Sequence, residues 1–150
     1  MATLTSTITE AVTINGAARG NTITQTYTVN DVYERVVNVP TSQVTLYTTH
    51  ASVPEGSVFD DDLVEYVRIT NLDSSNFVTL EITNAGSDEA SFRLNAGDSF
   101  ILGKHDGTSP VGVCSFKEGG AVDSTLHEIT IMKALADTAA CQVEVFVGSA

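Results

Sequence analysis

The sequence predicts an all-β protein, an antiparallel and jelly-roll-like β-sandwich preceded by an amino-terminal β-hairpin arm. Two observations predict this fold class. The 150 residues include 20 Thr and 18 Val, β-branched residues that favour extended backbone. Apolar and polar residues also alternate with a period of two, in short runs that end at Gly, Asn or Pro turns. A chain of this length normally forms one hydrophobic core.

The first 30 residues predict the arm. Thr residues and apolar residues occupy alternate positions, so one face of the hairpin is apolar and the opposite face carries hydroxyl groups. Asn15-Gly16 marks a turn, in a loop near residues 15–21, and a second alternating strand follows. A two-stranded hairpin is marginal in water by itself, so we expect it to pack on the sandwich, residues 31–150, or on a neighbouring subunit. The candidate interface residues lie on the apolar face of its first strand: Leu4, Ile8, Val12 and Ile14.

The rest of the chain predicts nine further strands separated by turn residues. One segment, Leu126 to Ala140, is also compatible with a helical stripe. Ile129 and Ile131 alternate with Glu128 and Thr130, which favours a strand to about Ala134. The predicted strands lie at about residues 32–39, 43–50, 63–71, 76–83, 90–94, 98–102, 111–117, 126–134 and 141–147.

The charge balance argues against several classes of partner. The 19 acidic and 7 basic residues give a net charge of −12, which nucleic-acid phosphates and anionic membranes repel. The basic residues are scattered singly, and the sequence has no run of 18 apolar residues. We therefore expect neither a nucleic-acid nor a membrane partner. The amino terminus lacks a basic region followed by an apolar block, so we expect no export by a signal peptide.

Sequence motifs for catalysis are missing, and we expect no enzyme, no catalytic residue and no cofactor. The sequence has no phosphate-binding Gly-x-x-x-x-Gly-Lys-Ser/Thr loop, no Gly-x-Ser-x-Gly motif and no His-x-His pair. The most reactive-looking cluster is Lys104-His105-Asp106-Gly107. Adjacent side chains point in different directions, so a polar turn is the simpler interpretation.

Two other groups of potential ligands have simple structural interpretations. Asp60-Asp61-Asp62 could bind calcium but lacks the alternating spacing of an EF-hand loop, so we expect a solvated acidic loop and no metal. Cys114 and Cys141 are expected to be reduced thiols that pack as small apolar side chains. Two cysteines without suitably spaced histidines do not form a zinc site.

One stretch, about residues 63–102, carries a more specific pattern. It runs from Tyr66-Val67-Arg68-Ile69-Thr70-Asn71 through a polar hairpin to Val78-Thr79-Leu80-Glu81-Ile82, and then to the turn Leu94-Asn95-Ala96-Gly97-Asp98. This pattern resembles small β-sandwich virion proteins of tailed bacteriophages, of the capsid decoration or cement type. A looser match extends back to Tyr33, and residues 1–30 carry no matching motif.

The resemblance implies a structural protein rather than an enzyme. It predicts a head decoration protein that adds buried area across the seams between capsomers and so stabilises the shell. The expected partners are further copies of the chain, with a trimer as the simplest fit to a local threefold axis, and the major capsid protein. The expected location is the virion, assembled in the host cytoplasm. The alternatives are a tail component, such as a tube or adaptor subunit, and a fibre head that binds a receptor or carbohydrate.

Overall fold

The structure, a computed structural model, describes residues 1–51, 58–104, 114–119 and 126–150, and in these ranges its only regular secondary structure is β. Each strand predicted from residue 32 onwards agrees with an observed strand to within two residues, apart from 111–117, of which residues 111–113 lie outside the described ranges. In chain order the strands are β1 (Ala2–Thr9), β2 (Val12–Ile14), β3 (Ala17–Arg19), β4 (Thr22–Val29), β5 (Asp31–Val39), β6 (Val44–His50), β7 (Phe59–Asp60), β8 (Val64–Asn71), β9 (Val78–Asn84), β10 (Glu89–Leu94), β11 (Ser99–Gly103), β12 (Ser115–Phe116), β13 (His127–Ala136) and β14 (Cys141–Ser149).

Two antiparallel sheets form the sandwich. One has the strand order β11-β8-β14-β5, and the other has the order β10-β9-β13-β6, extended by the short strands β7 and β12. Among the eight long strands, each connection passes from one sheet to the other except the β9–β10 hairpin. This is the strand order of a jelly roll, so the predicted fold class is confirmed.

The core lies between the two sheets and is built mainly by alternation of side chains, because successive side chains of a pleated strand point to opposite faces. In β14, Val143, Val145 and Val147 are fully buried. The central strands of the facing sheet contribute Leu80 and Met132, which are equally buried. Register shifts in the pairing of β13 with β6 and β9, and of β14 with β8, interrupt the alternation. The alternate residues are left for the outer faces of the sandwich.

The arm is one continuous hairpin with a tighter turn than the sequence predicted. The register runs from Ala2↔Val29 through Thr9↔Thr22 to Ile14↔Ala17 without a shift. Asn15 and Gly16 have φ values of 51° and 77°, the signature of a two-residue type I′ turn. The predicted loop over 15–21 is therefore wrong beyond Gly16, because an I′ turn lets pairing resume at once.

Two other details differ from the sequence prediction. The ambiguous segment after Leu126 is a strand, β13, that continues to Ala136 and pairs with both β9 and β6. The short strand β7 was not predicted, and it pairs with β6 in parallel. A two-residue strand leaves no periodicity in a sequence, so only its partner defines it.

Replacement of Leu80 by Ala should destabilise the sandwich strongly. Leu80 is fully buried in β9, and removing such a side chain leaves a cavity that costs about 2–5 kcal/mol. Urea denaturation should show a lower midpoint with an unchanged slope. Leu72→Ala is the matched control, because Leu72 is 46% exposed and its loss should cost no more than about 0.5 kcal/mol. Equal losses for the two variants would contradict the assigned core.

Candidate functional site

The arm packs against the sandwich only near its base, on the outer face of the four-stranded sheet. Tyr27 and Val29 of β4 form a small buried cluster with Tyr66 of β8, and Leu4 and Phe146 pack against it. The Tyr27 and Tyr66 ring centroids are 5.4 Å apart, and those of Tyr66 and Phe146 are 6.0 Å apart. These contacts hold the base of the hairpin, which is the end farthest from its turn, on the sheet. The rest of the hairpin projects beyond them.

Two glycines allow this close approach. A Cβ atom at Gly103 would overlap the Tyr27 hydroxyl oxygen, and one at Gly148 would lie 3.1 Å from Val29 Cγ1. Both glycines pair with Tyr66 across β8, at Gly103↔Tyr66 and Gly148↔Tyr66. The aromatic side chain of Tyr66 is thus flanked by two positions without side chains, and β4 packs into the space they leave.

Beyond its base, the apolar face of the arm is exposed. The pairs Leu4↔Tyr27 and Ile8↔Ile23 lie on the same face, because they are separated by an even number of residues. Leu4 is half-buried and Tyr27 is buried at the base. Farther along the arm, the aliphatic side chains on this face are exposed. The exposed fractions are 48% for Ile8, 51% for Ile23, 52% for Val12 and 56% for Ile14.

A groove of about 310 Å³ runs between the arm and the sheet below it. Its arm side is residues 4–8 of β1, and its floor includes Ile101 and Phe146. Arg68 also lines the floor, where it forms an ion pair with Glu144 and lies over the Phe146 ring at 5.5 Å from the centroid. The exposed apolar face of the arm and the floor of the groove are therefore one continuous surface, which we call the arm–groove surface.

The opposite face of the arm is a ladder of threonines. Four cross-strand Thr pairs, from Thr3↔Thr28 to Thr9↔Thr22, occupy it in succession. The hydroxyl oxygens of Thr7 and Thr24 are 3.4 Å apart, and those of Thr9 and Thr22 are 3.3 Å apart. Cross-strand Thr pairs stabilise a ribbon and keep it extended, so the arm holds its shape where it leaves the sheet.

Charge is distributed unequally between the arm and the sandwich. Residues 1–30 contain one acidic residue, Glu10, and one basic residue, Arg19. The remaining residues therefore carry the whole net charge of −12. Two sandwiches repel one another, whereas the approach of an arm to a sandwich carries no such cost.

Ion pairs on the sheet surfaces include Arg68–Glu144, Lys104–Glu65 and Lys133–Glu81. Lys104, from the most reactive-looking sequence cluster, forms an ion pair with Glu65 at 2.6 Å, while His105 and Asp106 lie outside the described residues. Both cysteines are free thiols, and burial raises the pKa of Cys141, the opposite of activation as a nucleophile. In the described ranges, no helix has the length and apolar character that crossing a membrane requires.

A second group of side chains gathers at one end of the sandwich, where β6 and β7 end. Carboxylate oxygens of Asp60, Asp61 and Asp62 lie within 4.8 Å of one another. Glu128 is the second residue of β13. Burial, and then the charges of Asp61 and Asp62, raise the pKa of Glu128. Sequence analysis identified the three aspartates but did not relate Glu128 to them, because it is distant in sequence.

The four predicted interface residues all lie on one face of the arm, but they do not have equal surroundings. Leu4 belongs to the packed base, and Ile8, Val12 and Ile14 belong to the exposed part. The residues beneath the base, Tyr66 and Phe146, were missed. Phe146 sits between two buried valines of β14, and Tyr66 directly precedes the buried Val67 of β8. Alternation with a period of two assigns both to an outer face without indicating what covers them.

Comparisons of this chain with protein-family models, with curated proteins and with solved structures find no match.

Replacement of Gly103 by Ala should release the base of the arm while leaving the sandwich folded. The new methyl group would displace the Tyr27 hydroxyl, which donates a hydrogen bond to Gln25 Oε1 at 2.9 Å. Amide hydrogen exchange of β1 and β4 should accelerate about tenfold or more, while that of β14 stays within about twofold. Gly97→Ala is the control for glycine replacement itself, since its methyl group meets no atom within 4 Å but strains a turn at φ 79° between β10 and β11; it should lower stability without selectively accelerating exchange in β1 and β4. If exchange in β1 and β4 is unchanged in the Gly103 variant, Tyr27 does not hold the arm.

Proposed function

We propose that this protein is a structural protein of a bacteriophage virion, of the head decoration type, that assembles through its amino-terminal arm. The observation that carries the proposal is the projecting hairpin, whose apolar face is exposed beyond its base and continues into an apolar groove. Exposed aliphatic side chains that share one face of a projecting ribbon, beside an apolar groove, are typical of an interaction site. The jelly-roll order is common among viral shell proteins and agrees with the resemblance of residues 63–102, although a fold alone does not define a function.

The occupant that best fits the arm–groove surface is the arm of a second copy of the chain. The arm has balanced side-chain charges and can approach a sandwich that carries the whole net charge of −12. Contact between two sandwiches would instead bring like charges together. An arm inserted into a neighbour's groove also brings aliphatic side chains from both sides into one layer, which removes them from water.

The free part of the arm is a small interface by itself. Residues 8–14 extend about 23 Å at about 3.3 Å per residue, and two strands are about 10 Å wide, so one face is about 230 Å². A reciprocal exchange, in which each of two chains gives and receives an arm, buries about 920 Å² in total. A standard stable interface buries about 1,200–2,000 Å², so contacts of the sandwich beside the arm have to add to this area. A closed ring of copies, such as a trimer on a threefold axis, uses the same contact once per neighbouring pair.

The proposed role on the capsid follows from mass action. A ring that binds only the assembled shell stabilises the shell over its dissociated subunits, by an amount that grows with occupancy. A rigid sandwich supplies the surface toward the major capsid protein, and the arms tie neighbouring copies together. No catalytic step is needed for this function.

The double variant Val12→Ser/Ile14→Ser should weaken self-association. Each replacement removes an exposed aliphatic side chain from the arm, and the loss of two such groups from an interface costs about 2–4 kcal/mol. The dissociation constant should rise at least about thirtyfold in sedimentation equilibrium. The matched control is Leu72→Ser/Leu135→Ser, which changes two partly exposed aliphatic residues outside the arm. A wild-type chain that is monomeric at every accessible concentration would refute assembly through the arm.

Capsid binding tests the proposed location. Purified wild-type protein, added to capsids that lack it, should bind saturably and raise the temperature at which the shells disrupt. The Val12→Ser/Ile14→Ser variant should bind with lower occupancy, because it lacks the contacts between neighbouring copies. If the wild type forms closed rings but does not bind capsids, the decoration function is wrong and the tail tube or adaptor alternative is favoured.

A further inference from the structure

Strand β11 has a free edge beside the arm–groove surface. Within the described ranges it pairs only with β8, so it forms one edge of the four-stranded sheet. The Lys104 amide donates a hydrogen bond to the Glu65 carbonyl oxygen at 2.7 Å, and the Asn71 amide donates one to the Asp98 carbonyl oxygen at 3.0 Å. Both bonds follow the β11–β8 register, so the even-numbered residues of this segment bond to β8 and the odd-numbered ones point their backbone groups away from it. The residues with outward-pointing N–H and C=O groups are Ser99, Ile101 and Gly103.

The same edge borders an exposed aromatic pair between the two sheets. β10 is the edge strand of the other sheet, and Phe92 of β10 lies against Phe100 of β11 with ring centroids 5.3 Å apart. Phe92 is two residues before the buried Leu94, so both side chains face the inside of the sandwich, yet Phe92 is 42% exposed. We call the surface formed by Phe92, Phe100 and Leu102 the seam. An inward-facing ring with this exposure shows that the described residues leave this side of the sandwich open.

The tip of the arm presents a free edge with the same phase. The Glu10 amide donates a hydrogen bond to the Asn21 carbonyl oxygen at 2.8 Å, so the even-numbered residues of the arm's first strand bond to its second strand. The odd-numbered residues therefore point their N–H and C=O groups outward. If two such edges pair antiparallel, odd-numbered residues lie opposite odd-numbered residues, and opposed side chains share one face. The tip would then place its even-numbered residues, Glu10, Val12 and Ile14, over the seam.

One register of this pairing matches the side chains along the whole overlap. Apolar residues oppose apolar residues, the acidic residue of the arm opposes a lysine, and an alanine opposes a glycine whose outer face already holds the Tyr27 hydroxyl. A shift of two residues in either direction places Glu10 opposite Leu102, or Val12 opposite Lys104, and loses this match. The opposed pairs in the matching register are Glu10 with Lys104, Ala11 with Gly103, Val12 with Leu102, Thr13 with Ile101 and Ile14 with Phe100.

We propose that the tip of one copy's arm adds to the free edge of β11 in a second copy, antiparallel and in this register, and covers the seam of that copy. The inference rests on the proposed self-association through the arm, and it assigns the part of the neighbouring sandwich that the tip contacts. Backbone hydrogen bonds along the edge add to the contact made by the apolar face of the tip, which is small by itself. A second sandwich fits this edge less well, because the sandwich carries the whole net charge of −12 whereas the side-chain charges of the arm balance.

Cysteine cross-linking between two variants tests the register. Val12→Cys and Leu102→Cys, mixed and oxidised with diamide, should give a linked dimer, because opposed residues that share no hydrogen bond have Cα atoms about 4.5 Å apart, within reach of a disulfide. Val12→Cys mixed with Ile101→Cys is the matched control, since Ile101 is adjacent in sequence but projects to the other face. The first pair should cross-link at least about tenfold faster. Wild-type protein, which contains Cys114 and Cys141, gives the background.

Glu10→Lys separates this register from long-range attraction. The substitution raises the side-chain charge of the arm by two, so attraction to the acidic sandwich alone would strengthen self-association. In the proposed register it places two lysines opposite one another, which should raise the dissociation constant about threefold in sedimentation equilibrium. Glu34→Lys is the matched control, because it makes the same change of charge at an exposed position of β5, and it should leave the dissociation constant unchanged or lower.

The inference is overturned if the two cysteine pairs cross-link at the same rate. It is also overturned if Glu10→Lys and Glu34→Lys shift the dissociation constant alike. In either case, a wild type whose self-association is weakened by Val12→Ser/Ile14→Ser retains assembly through the arm and loses only this docking position. A wild type that stays monomeric contradicts both proposals.

Discussion

The side-chain alternation of β8 and β14 is the constraint on which the rest of this structure depends. In β14, Val145 and Val147 face the core while Phe146, between them, faces outward beneath the arm. In β8, Val67 faces the core and Tyr66 faces the arm. Because the two faces of a pleated strand are set by one register, the residues that build the core also fix the surface on which β4 packs. A shift of one residue in either strand would remove both.

This coupling explains why the arm has a fixed position at its base and no intrachain support at its tip. A two-stranded ribbon is marginally stable by itself, and here only the part near Leu4 and Tyr27 gains support from a sheet. The type I′ turn at Asn15-Gly16 and the threonine ladder hold the remainder extended. Further stabilisation of the tip therefore requires a surface outside the described residues of this chain, and we propose that a neighbouring copy supplies it.

The alternation of polar and apolar residues was sufficient to predict the strands, but it does not indicate which strands pair with one another. The alternation in residues 63–102 and 126–147 located β8 to β11, β13 and β14 closely, because each strand has a buried face that repeats locally. The contact of Tyr27 with Tyr66 depends instead on Gly103, which leaves room for the Tyr27 hydroxyl. Such contacts are set by the packing of distant segments, for which a single sequence carries no periodic signal. The candidate interface on the arm was predictable because all of its residues lie on one hairpin, whereas the groove beneath it was not.

The spacing of apolar residues along the arm limits nonspecific association through its exposed face. On that face the apolar pair Ile8↔Ile23 is followed by Glu10 and Asn21, and only then by Val12 and Ile14. Polar residues thus separate Ile8 from Val12 along the ribbon, which keeps each exposed apolar patch small. Nonspecific contacts would bury few aliphatic groups and would desolvate Glu10 or Arg19 without a partner. A partner surface with polar and apolar groups at matching positions can satisfy both kinds of residue, so the pattern favours a specific partner over aggregation.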